Sequence, residues 1–86
     1  MIPAEMVLGF FSSAKSSNRK IKITGSDRGV KKGYIRDVKM ENRVITLDLD
    51  GEIFAFDMNV YEAKTSFFDH RVLHVIGEEN YKIQLG

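Results

Sequence analysis

Residues 30–61, VKKGYIRDVKMENRVITLDLDGEIFAFDMNVY, decide the fold. They hold three apolar runs, Tyr34–Met40, Val44–Leu49 and Ile53–Met58. Glu41-Asn42 separates the first two, and Asp50-Gly51 separates the second and third. Short β-rich runs joined by two-residue turn signals predict an antiparallel meander. Val44–Asp50 alternates, with Ile45, Leu47 and Leu49 on one face and Thr46, Asp48 and Asp50 on the other. In the first run the alternation slips: Ile35 takes one face, while Val38 and Met40 take the other. A β-bulge or sharp bend reconciles them, with Gly33 as the expected point of bending. Ile53-Phe54-Ala55-Phe56 is apolar on both faces, which predicts a strand covered on both sides.

Upstream, residues 3–15 read as a helix. Pro3 suits its first turn, where a missing N–H costs nothing. Met6, Val7, Phe10, Phe11 and Ala14 form one broad stripe, opposite Glu5, Gly9, Ser12 and Ser13. That stripe is expected to pack on the sheet or on a neighbouring subunit. The polar face lacks the Lys and Arg of an interfacial membrane helix. The chain start lacks a basic region, carries Glu5 early and has its apolar run broken by Gly9, so it reads as a retained helix rather than a signal peptide. Residues 12–18 end the helix. Arg19–Thr24 alternates, with Ile21 and Ile23 on one face and Lys20, Lys22 and Thr24 on a basic one. Gly25–Gly29 is a loop, and Val30–Lys32 leads into the second strand, which resumes at Gly33.

Downstream, Asn59–Ser66 reads as a turn or short helical connection. Val72–Ile76 and Tyr81–Leu85 read as a closing pair around Gly77-Glu78-Glu79-Asn80. The expected fold is mainly β: an N-terminal α-helix followed by a five- to six-stranded, strongly bent antiparallel barrel of SH3-like or Sm-like type. Residues 1–17 form the helix and linker, and residues 18–86 form the barrel.

Eighty-six residues bound the chain to one small domain. No cysteine is present to staple it or to bind zinc as thiolate. Stability must come from a closed sheet or from oligomerisation, and a homo-oligomer is expected. No apolar run approaches a membrane span, and a cytoplasmic location is expected. Net charge is +1, but residues 1–45 carry ten Lys/Arg against four Asp/Glu, whereas residues 46–86 carry three against eight. The basic part can meet phosphates, or a neighbouring subunit's acidic part.

The order helix, strand, glycine-led bent strand, hairpin and closing pair resembles the Sm-like proteins. Arg19–Leu49 is similar to their first motif and Val72–Leu85 to their second. Asp37-Val38-Lys39-Met40-Glu41-Asn42 stands where they carry Asp-x-x-Met-Asn, with one residue more between Met and Asn. Ile76 precedes Gly77 where they carry arginine. A second resemblance is to the YolD-like small proteins of bacilli and their phages, through Gly33-Tyr34-Ile35, Val38, Val44-Ile45-Thr46-Leu47, Ile53 and Phe56-Asp57. The first implies an RNA-binding barrel, the second a bacterial or phage regulator.

No catalytic constellation is expected. Asp48, Asp50, Glu52 and Asp57 read as solvated strand-edge acids, and Asp50-Gly51 as a hairpin turn rather than a calcium loop. His70 and His74, with Asp69, read as surface groups rather than a zinc site. No metal and no cofactor is expected. The leading expectation is a non-catalytic module that binds an anionic ligand, single-stranded RNA or a small nucleotide. Lys20, Lys22, Arg28, Lys31 and Lys32 would take phosphate and Tyr34 would stack on a base. The alternative is an adaptor docking on a larger host machine through Ile53, Phe54, Phe56, Phe67 and Phe68.

Overall fold

A computed structural model describes residues 2–65 and 71–86. Helix α1 (Ala4–Ser16) is followed by strands β1 (Lys20–Gly25), β2 (Gly29–Glu41), β3 (Val44–Leu49), β4 (Glu52–Asp57), β5 (Glu62–Thr65), β6 (Val72–Ile76) and β7 (Asn80–Leu85). The strands form one antiparallel sheet in the order β4-β3-β2-β1-β7-β6-β5.

Pro3 stands at the N-cap of α1, Glu5 sits in its first turn and Lys15 in its last, the two charges complementing the helix dipole. Asn18 ends it in the left-handed region (φ 52°). Its N–H and that of Arg19 bond back to the carbonyls of Lys15 and Ala14, in a Schellman-type stop. Ala4, Val7, Phe11 and Ala14 are buried. Met6 departs from the expected stripe and is 64% exposed, so the buried face is narrower than the apolar pattern suggested.

Both short turns of the meander have two positive φ values: Asn42 and Arg43 (52° and 64°), then Asp50 and Gly51 (49° and 97°). These are the angles that match the twist of a two-residue hairpin. The first turn therefore falls one residue later than the expected Glu41-Asn42.

The expected irregularity in β2 is present, but at Arg36 rather than at Gly33. Ile35 pairs with Leu49 and Asp37 with Asp48, leaving Arg36 as the extra residue. The bulge switches which parity faces inward: Ile35 before it, Val38 and Met40 after it. β2 can then pair with β1 through its first half and with β3 through its second. The Asp50 carboxylate holds this bend. It accepts from the Tyr34 N–H (2.9 Å) and the Arg36 Nε–H (2.8 Å), while the Asp50 N–H donates to the Tyr34 carbonyl (3.1 Å). Gly33 makes room for that carboxylate, since a Cβ there would collide with Asp50 Oδ2. Gly33→Ala is therefore expected to lower Tm by about 4–8 °C, the shift 1 kcal/mol makes in a domain this small. The penalty should shrink in an Asp50→Ala background, and thermal melts of the double-mutant cycle check it.

The two halves of the sheet fold over each other. Phe54 and Phe56 of β4 meet Tyr81 of β7 edge-on, with ring centroids 6.4 and 5.0 Å apart. Phe11 of α1 stacks on Phe56 at 6.0 Å. The core between the halves takes Ile21, Ile23, Ile45, Leu47, Leu73 and Ile83.

Three further expectations are corrected. There are seven strands among the described residues, not five or six, and the sheet is unclosed, with β4 and β5 as its ends. The expected connection at 59–66 contains β5, which pairs with β6. Ile53–Phe56 is covered on one side only: Phe54 and Phe56 are buried, whereas Ile53 is 54% exposed. No helix among the described residues is long and apolar enough to cross a membrane.

Candidate functional site

Alternation along β1 drives Ile21 and Ile23 into the core and Lys20, Lys22 and Thr24 outward. Residues directly opposite in an antiparallel ladder share a face. Three rows therefore cross the outer surface. Tyr34 pairs with Lys20. Lys32, Lys22, Gln84 and Val72 form the second row. Val30, Thr24, Lys82, His74 and Lys64 form the third. Lys20, Lys22, Lys32, Lys64 and Lys82 thus share one face, and none of them forms an ion pair among the described residues. They sit on four strands and span five, from β2 to β5, about 19 Å along the sheet at the usual inter-strand spacing. Two open depressions mark this face. One, of about 400 Å³, is lined by Lys20, Lys22, Lys32, Gln84 and the chain end at Leu85-Gly86. The other, of about 300 Å³, is lined by Thr24, Ser26, His74, Ile76, Asn80 and Lys82, among others.

Arg28 and Lys31 lie elsewhere. Lys31 pairs with Ile23, so it points to the inner side of the sheet. The Arg28 Nη2 donates to Glu52 Oε2 (3.3 Å), and the Lys31 Nζ lies 3.8 Å from Glu52 Oε1. The Arg28 guanidinium also sits 4.3 Å above the Phe54 ring. Both cations close the rim of the core over β4 and are neutralised there. Of the six residues expected at the anionic site, the structure brings together Lys20, Lys22, Lys32 and Tyr34. Phe54 and Phe56, expected at an interface, are core residues; Phe67 and Phe68 lie outside the described residues. Ile53 alone of that set stands exposed among the described residues.

Sequence reasoning missed Lys64, Lys82 and His74. Lys82 was legible as the outward partner of Tyr81 and Ile83. What was missing was the β1–β7 ladder that sets it beside Thr24.

Most acids lie off this face; the exception is Glu62, which pairs with Ile76 in the row next to Lys64 and His74. In the other half of the sheet, Asp37 pairs with Asp48, and Glu41, Val44 and Asp57 form one row. Glu79 is held at the loop rim by the Asp27 N–H (2.9 Å) and the Tyr81 O–H (2.8 Å). These bonds, the Asp27 N–H first, lower the Glu79 pKa. The Tyr34 N–H, followed by Arg36, does the same for Asp50. A carboxylate whose folded pKa is lowered contributes stability above its unfolded pKa and loses it as pH falls through the folded value. Asp50→Asn is therefore expected to flatten the acid limb of a urea-midpoint profile against pH. The opposite limb belongs to Tyr81, whose pKa is raised by burial and then by Glu79. Its contribution fades as pH rises past the ordinary tyrosine range.

Among the described residues no group of three or more His, Cys, Asp or Glu could hold a metal ion. No family model, no curated protein and no solved structure matches this chain. The resemblances to Sm-like and YolD-like proteins rest on residue pattern alone.

Proposed function

We propose that this chain is a non-catalytic binding module that holds a single-stranded nucleic acid, with RNA as the leading candidate, on the outer face of β2-β1-β7-β6-β5. The observation that carries this reading is a set of five lysines on one face with no ion pair among the described residues, while Arg28, Lys31, Arg36 and Lys15 are engaged with carboxylates elsewhere. Cations aligned on a sheet in this way suit a phosphate backbone. Their spread over about 19 Å favours a polymer over a small nucleotide, whose phosphates need cations that converge. Tyr34, 37% exposed beside Lys20, offers a ring for base stacking. A cytoplasmic setting goes with this reading.

Fluorescence anisotropy with a labelled ten-nucleotide oligouridylate tests it. Binding at low salt should weaken with a log–log slope of about −2 to −3.5, as expected for three to five phosphates on a single strand. No binding at low salt, or binding insensitive to salt, would sink it. The acidic outer face of β3 and β4 complements the basic one, so self-association through opposite charge is part of the proposal. Native mass spectra at two salt concentrations should show multimers that dissociate at the higher one.

A second reading draws on Ile53, whose exposed side chain lies on the end strand β4. There the chain acts as an adaptor for a host protein. Ile53→Asp would abolish that partnership and spare oligonucleotide binding.

A further inference from the structure

The depression of about 300 Å³ differs chemically from the rest of the basic face. The larger one is lined by Lys20, Lys22 and Lys32 and suits phosphates. The smaller has one lysine, Lys82, with Thr24, Ser26, His74, Ile76 and Asn80. Its polar groups are mainly hydroxyls and an amide, which read hydrogen-bonding edges rather than charge. It lies about four residues further along β1 and β7, roughly 13 Å at the rise of a strand.

We infer that this smaller depression is a base-reading subsite that takes one adenine of the nucleic acid proposed above, a reading on which this inference rests. Three features argue for it. First, the floor is tied down: the Ser26 N–H donates to the Asn80 carbonyl (3.1 Å), and the Asn80 N–H donates to Ser26 Oγ (3.3 Å). Glu79 ties the same two turns together through the Asp27 N–H. Second, the Asn80 side-chain amide has no hydrogen-bond partner among the described residues and is exposed beside the depression. A free carboxamide matches adenine with one donor and one acceptor, its N–H to N7 and its oxygen to the N6 amino group. Third, His74 stands on the same face between Lys64 and Lys82 in direct register. Its imidazole is a flat surface for the base, and the flanking lysines meet the adjoining phosphates.

The test compares three ten-nucleotide RNAs: all uridine, the same with one central adenosine, and the same with 7-deazaadenosine in its place. The wild-type chain should bind the adenosine oligomer at least about fivefold more tightly than the other two, the lower bound for a bidentate base contact. Asn80→Ala should erase that preference and leave the salt slope unchanged, because no cation is removed. The backbone bonds between Asn80 and Ser26 survive this substitution, so folding is not at stake. His74→Ala should weaken all three oligomers about fivefold or more by removing the stacking surface. Equal affinity for the three RNAs, or a preference that Asn80→Ala leaves intact, overturns the subsite but not the basic face. Failure of every oligomer to bind at low salt overturns both.

Discussion

Phe56→Ala is expected to leave a chain largely unfolded at physiological temperature. Phe56 is fully buried and joins three parts of the molecule. Phe11 of α1 stacks on it, Phe54 lies 6.3 Å away on the same strand, and Tyr81 meets it edge-on from the opposite half of the sheet. Removing a buried phenylalanine ring costs about 3–5 kcal/mol, as forfeited transfer energy plus a cavity. A domain of this length has a total stability of roughly 4–13 kcal/mol at the usual range per residue. The substitution therefore takes a large share of what holds the fold, and no disulfide adds to it. Near-UV circular dichroism should lose its aromatic signal, and the cooperative melt should vanish or fall by more than about 15 °C. A melt within a few degrees of wild type would show that the two halves of the sheet do not depend on this ring.

The second large effect concerns the basic face. Lys22 and Lys32 are direct partners across β1 and β2, and both line the larger depression. Reversing both charges replaces two attractions with two repulsions at one place on a polyanion's path. Lys22→Glu with Lys32→Glu should lower oligonucleotide affinity by about two orders of magnitude at low salt. It should also flatten the log–log slope by about 1.4, at roughly 0.7 for each single-strand phosphate that is no longer neutralised. The informative control is Lys31→Gln. Lys31 is next to Lys32 in sequence but is engaged with Glu52 on the other side of the sheet. Its replacement should leave affinity within about twofold, because an exposed pair of this kind contributes little. If Lys31→Gln weakens binding as much as the double reversal, the site is general positive charge and not this face.

The contrast between these lysines marks where the sequence stops being sufficient. Short-range patterns were legible. The spacing of Val7, Phe11 and Ala14 placed the helix, the alternation of Ile45, Leu47 and Leu49 placed β3, and Asp50-Gly51 placed its turn. The parity slip between Ile35 and Val38 required a bulge somewhere in β2. Each of these depends on residues a few positions apart, whose geometry is set by the local backbone. The location of the bulge was not legible, because the Asp50 carboxylate that anchors it comes from a turn fourteen residues beyond Arg36. β5 was missed because Glu62–Thr65 offers one buried residue, Ala63, and gains its strand form from pairing with β6.

By itself, then, the sequence determined a mainly β chain with an N-terminal helix, and the outward, basic character of Lys20 and Lys22. Only the tertiary structure decided which cations stand together. The β1–β7 ladder brings Ile21 against Leu85, and with it Lys82, His74 and Lys64 onto the face of Lys22 and Lys32. The same folding turns Arg28 and Lys31 onto Glu52 and out of the site. The physical reason is that a charge is available to a ligand only if no partner reaches it first, and those partners are set by long-range strand pairing.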